Sequence, residues 1–157
     1  MRVICLLALL NIAAAPMPRV RSTTPAIVAA VIEGEDRSPT FKSLLRQIES
    51  TDGIVYVELG RCGHGVPACL SHSVVSGDGY RLLRILVDST SDLVALIATI
   101  GHELRHAIEL LTDPAVRTMA AAYNYYAREF PNSGRAFETD AAIRTGGRVE
   151  RELKGLQ

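Results

Sequence analysis

Tryptophan is absent from these 157 residues, and aromatic side chains make up only 5% of them. The 48% hydrophobic content is therefore mostly aliphatic, yet it is enough for a real core in a single domain. An excess of either charge is also missing: 17 basic residues face 17 acidic ones. Without a basic field, the composition gives no footing for nucleic-acid binding. Internal repeats and low-complexity tracts are lacking. Long apolar runs are confined to the N-terminus and to residues 93–111. The second run carries His102, Glu103, Arg105 and His106, so it does not read as a membrane span.

The N-terminal run reads as an export signal. Met1-Arg2 supplies the positive start, Val3 to Leu10 a short apolar core, and Ala13-Ala14-Ala15 a small-residue end. The expectation is a signal peptide over 1–15, a proline- and arginine-containing linker over 16–25, and one domain over 26–157. An uncleaved anchor is the other reading. Export implies a periplasmic or extracellular location with no stable membrane insertion after signal removal. Cysteine is scarce, at three. Cys5 leaves with the signal, and Cys62 and Cys69 remain as an even pair, expected to form a disulfide across a loop. A structural zinc site from Cys62, His64, Cys69 and His72 competes, but oxidising surroundings favour the disulfide.

Along the rest of the chain, Ala26 to Glu33 is apolar and fits a short helix or a strand. Ser38-Pro39 reads as N-cap and first position of a helix in which Phe41, Leu44, Leu45 and Ile48 recur at helical spacing, ending before Asp52-Gly53. Ile54–Leu59 and Leu70–Val75 read as strands, and Ser76-Gly77-Asp78-Gly79 as a turn. Tyr80–Val87 reads as a third strand, with Leu83, Ile85 and Val87 alternating against Arg84 and Leu86. Short connections suggest a three-stranded antiparallel meander. A long helix follows, then one over 114–130 with Val116, Met119, Ala120, Tyr123 and Ala127 as its packed stripe. The last runs from about Arg135 to Leu153, weakened by Gly146-Gly147. The expected class is α+β: a small antiparallel sheet packed with the long helix and two C-terminal helices.

That long helix holds the chemistry. Gly101-His102-Glu103-Leu104-Arg105-His106 contains H-E-x-x-H, which places two histidines one turn apart on one helix face. Their rings can reach one metal ion, and Glu103 beside the first can address a water on that ion. The surroundings suit a rigid support. The N-cap residues of Asp88-Ser89-Thr90-Ser91-Asp92 precede Leu93, Val94, Leu96, Ile97 and Ile100, and Thr112-Asp113-Pro114 ends the run.

Through His102, Glu103 and His106 the chain resembles the zincin-type metallopeptidases. The resemblance implies Zn2+ on the two histidines, peptide or protein as substrate, and Glu103 as the group that takes a proton from the zinc-activated water and passes it to the leaving amine. Gly and His do not follow the motif, so the metzincin branch is disfavoured. The gluzincin branch draws its third ligand from a later helix. On that likeness Glu138 is the first choice, and Asp140 is either the alternative ligand or an acceptor that orients a ligating histidine. The branch often carries an aspartate four residues after the ligand glutamate, where this chain has Ala142. Glu109 shares the histidine face but lies about 10 Å along the axis from His102, too far to share one ion. Such enzymes also supply a donor to the developing oxyanion. Tyr123, Tyr125, Tyr126, His64 and His72 are candidates, none singled out. Two other readings stand beside the peptidase: a zincin-like binding or structural domain without turnover, and a helical domain in which the motif is accidental.

Overall fold

The computed structural model describes residues 17–89, 92–131 and 137–156, leaving aside the side chains of His64, His72 and Ser73. Its elements run β1 (Val20–Arg21), α1 (Pro25–Arg37), α2 (Pro39–Glu49), β2 (Gly53–Leu59), β3 (Ala68–Gly77), β4 (Tyr80–Val87), α3 (Leu93–Thr112), α4 (Met119–Glu129) and α5 (Asp140–Leu153), with a 3-10 turn at Gly63–Gly65. Among the described residues the architecture is mixed α/β, five helices on one four-stranded sheet. The expected signal over 1–15, with Cys5, lies outside them.

The expectation of a three-stranded antiparallel sheet does not hold. The strand order is β1-β2-β4-β3, with β2 parallel to both β1 and β4 and only β3–β4 antiparallel. The difference lies in the connection from β2 to β3. It is not a two-residue hairpin but a loop from Gly60 to Pro67, long enough to step past the place that β4 fills. Only β3 to β4 is a tight turn, with Asp78 and Gly79 both at positive φ (51° and 82°) as a two-residue hairpin of this hand requires. Cys62 and Cys69 close the crossing loop as a disulfide, as expected. Residues 20 and 21, expected as linker, are extended but add a strand to the sheet, and the apolar stretch after them is helical from Pro25.

Alternation sets the sheet's two faces. Arg81, Leu83, Ile85 and Val87 of β4 and Val55 and Val57 of β2 are buried under the helices. Arg84 and Glu58 pair on the opposite face, Nε to Oε2 at 2.7 Å. Helix α3 lies at the centre of the core, packed against the sheet on one side and against α5, α2 and α1 elsewhere. The Asp92 side chain caps it by accepting from Ala95 N, and Ser38 caps α2 by accepting from Phe41 N. Glu152 of α5 binds the same end of α2 through Ser38, Thr40 Oγ1 and Thr40 N. On α4 the expected stripe is displaced: Ala122 and Tyr126 face the core, while Met119, Ala120, Tyr123 and Ala127 are exposed. Helix α5 begins at Asp140 rather than near 135, because Thr139 caps it by accepting from Ala142 N.

Arg81 is a buried charge beneath the helices, 3% exposed. Its guanidinium donates to the carbonyls of Leu110, Leu111, Asp113 and Val116 and to Asp52 Oδ1, so it closes the C-terminal end of α3. Burial works to raise the Asp52 carboxyl, but the hydrogen bonds and charge of Arg81 outweigh it and hold it below its ordinary value. A depressed carboxyl stabilises the fold above its unfolded pKa, and that contribution fades as pH falls through the folded value. The D52A variant should lose about 1–3 kcal/mol at pH 7. In denaturant titrations its deficit against the unaltered protein should shrink steadily below about pH 4. A deficit independent of pH would show that the ion pair does not carry the effect.

Candidate metal centre

Helix α3 presents His102 and His106 on one face, and the chain returns after α4 to bring Glu138 against them. Glu138 Oε1 lies 3.2 Å from His102 Nε2 and 3.5 Å from His106 Nε2. One donor atom from each of the three residues falls within 4.8 Å of the others. An ion bound tetrahedrally at 2.0–2.1 Å spaces its donors about 3.3–3.4 Å apart, so the two glutamate–imidazole separations match that edge. The group therefore suits a cation in donor type and in spacing. Two imidazoles and one carboxylate form the donor set of catalytic zinc sites, with one position left for water. Site residues expected from sequence thus come together in three cases: His102, His106 and Glu138.

Each imidazole is also held from behind. His106 Nδ1 lies 3.1 Å from Glu109 Oε2, and the Thr139 hydroxyl donates to the other oxygen of the same carboxylate at 2.9 Å. The Tyr126 hydroxyl donates to the His106 carbonyl at 3.2 Å. His102 has its backbone hydrogen-bond partner in Ala142. Gly146 lets α5 pass close behind it, since a Cβ there would stand 3.2 Å from His102 Cβ. The glycine that reads as a weakness in α5 is a close-packing contact with the site.

One expectation from the sequence needs correction. Asp140 neither ligates nor orients a histidine: its side chain is 88% exposed and pairs with Arg144 on the surface of α5. The orienting carboxylate is Glu109. Its distance along the axis from His102 bears on sharing an ion, not on reaching His106 three residues away. The signal for it is a third polar residue on a face otherwise apolar. The missing aspartate at Ala142 is covered by that residue's own backbone. The Cys62–Cys69 bond replaces the cysteine–histidine zinc alternative, whose His64 and His72 side chains lie outside the described residues.

Electrostatics divides the group. Burial pushes the Glu103 carboxyl up to about 7, against the His106 charge and a Leu70 backbone hydrogen bond that favour its ionised form. Burial also pulls down His102, aided by His106 and opposed by Glu138, and its pKa falls. Burial works the same way on His106, but Glu109, Glu103 and Glu138 outweigh it and its pKa rises. Glu103 Oε1 stands 4.0 Å from His102 Nε2, beside the ligand set and not within it. Among the tyrosines, Tyr126 is committed to His106, Tyr125 hydrogen-bonds Thr112, and Tyr123 is exposed.

No family model, curated protein or solved structure matches this chain. The centre is therefore defined by its own donor set and spacing. Substituting Glu109 by Gln should weaken Zn2+ or Co2+ affinity about 10–100-fold in a chelator-competition titration. T139V should act in the same direction and also cost about 1 kcal/mol for the lost cap. Unchanged affinity in E109Q would remove Glu109 from the site.

Proposed function

We propose that this protein is a zinc-dependent peptidase, hydrolysing peptide or protein substrates with His102, His106 and Glu138 as zinc ligands and Glu103 as general base. The observation that carries this reading is the meeting of the two Nε2 atoms with Glu138 Oε1, with the Glu103 carboxyl alongside. A bound zinc supplies a Lewis acid and makes a water acidic enough to lose a proton near neutral pH. The remaining steps belong to the chain. Glu103 accepts the proton and delivers it to the leaving amine, a role its place beside the ligand set allows. Glu109 keeps the His106 ring turned toward the ion. The Leu70 amide, at the start of β3, ties Glu103 to a strand at the margin of the sheet. A substrate lying along that margin as an added strand would pass beside Glu103.

The disulfide supports an exported protein, and among the described residues no helix is long and apolar enough to cross a membrane. A domain that keeps the ligand set without turnover is the second reading. It shares every contact above and differs only in the result of an assay.

The test uses the full chain. Elemental analysis is expected to find one zinc per chain, and an unfolded protein substrate to be cleaved in a chelator-sensitive way. E103Q should retain zinc while its kcat falls about 10²–10⁴-fold. Zinc without cleavage in the unaltered protein would select the second reading. Undiminished cleavage in E103Q would overturn the mechanism.

A further inference from the structure

Glu138 differs from the rest of the group in how it is held. Its side chain is 44% exposed, so packing does not confine it, yet one oxygen sits on both imidazoles and accepts from the neighbouring Thr139 N at 3.1 Å. A free glutamate side chain would lose appreciable rotamer entropy in staying there. The backbone on either side is fixed. After it, Thr139 is locked by the α5 cap and by Glu109. Before it, Phe137 sits at φ +50°, in the left-handed region. That conformation is strained for a bulky residue and persists where the surroundings impose it. Glycine would adopt it freely, so turn geometry does not account for an aromatic residue here.

What accounts for it is a clamp. The Phe137 ring stacks on Tyr126, with centroids 5.1 Å apart and planes at 23°, and meets Tyr123 edge-on at 5.2 Å and 88°. Tyr126 is itself buried and donates to the His106 carbonyl. One tyrosine thus touches the helical turn that bears His106 and the ring beside Glu138. We propose that Phe137 is a positioning residue: gripped by Tyr126 and Tyr123, its ring holds the left-handed turn that delivers the Glu138 carboxylate to the imidazole pair. This rests on the metal-binding reading of the site.

The experiment is a titration of the full chain with Zn2+ and Co2+, following the visible cobalt band. F137G keeps the turn and loses the ring. It should bind about 10–100-fold more weakly, as for other residues that support ligands from outside, and its cobalt spectrum should move toward that of E138A. F137Y, which keeps the ring, should stay close to the unaltered protein. In the E138A background, F137G should cause no further loss, because its effect runs through Glu138. If circular dichroism shows F137G unfolded, F137L, which keeps bulk without a ring, takes its place with the same expectations. Affinity unchanged in the ringless variant, or an equal loss added on top of E138A, overturns the positioning role while leaving the metal site standing. Failure of the unaltered protein to bind either ion overturns the metal reading and this inference together.

Discussion

Charge buried on α3 is the constraint around which the other elements are arranged. Glu103, His106 and Glu109 occupy the middle of a helix whose remaining inward residues are aliphatic, and all three are buried. Each would cost about 1–3 kcal/mol or more if left without a partner. The partners come from separate parts of the chain: the Leu70 backbone from β3, the Thr139 hydroxyl from the start of α5, and Glu138 from the segment before it. Tyr126 of α4 adds a bond to the helix backbone at the same level. The polar demands of one helix thus fix where three other elements must come in.

The same helix has to be held along its length, and its two ends use different devices. Asp92 caps the N-terminal end locally. The C-terminal end relies on Arg81, whose guanidinium gathers carbonyls from the last turn of α3 and the bend after it. A buried arginine in a strand is unusual, and its value here is that five donors in a fixed fork serve acceptors that no short side chain could reach together. Between the ends, close approach to α5 adds to the hydrogen bonds made by the buried charges. A Cβ on Gly101 would meet Val149 at 3.1 Å, and Gly146 comes as near to His102, so α3 and α5 pack with little between them.

Features of the fold that depend on neighbours in sequence are legible in the chain itself. The N-caps at Ser38 and Asp92, the alternation in β4, and the helical pairing of His102 with His106 all depend on residues within a few positions of each other. Features that depend on long-range pairing are not. Nothing near Ile54 states that its strand runs parallel to Tyr80–Val87 and not antiparallel to Leu70, because both segments carry apolar residues that could cover it. The inward face of α4 is hidden by the same logic. Several residues on it fit a stripe, and the contacts of Tyr126, edge-on to His106 and stacked on Phe137, belong to the face that turns inward. Glu138 is reached through resemblance. Glu109 stands in plain view on the motif helix, but its role depends on Thr139, thirty residues away.

The graded exposure of the site follows from this arrangement and bears on how it would work. Glu109 lies deepest, Glu103 and His106 are nearly as buried, His102 is partly open, and Glu138 forms an accessible rim. A dry floor strengthens the electrostatic interactions around the imidazoles and raises the Glu103 carboxyl. An open rim would leave the water and substrate side of the proposed centre accessible. The two requirements conflict if all ligands come from one helix, since a helix face is either covered or bare. Drawing the third ligand from a turn that only touches α3 at its edge resolves the conflict. It also makes that turn, held by the packing of the Phe137 ring, responsible for where the Glu138 carboxylate stands.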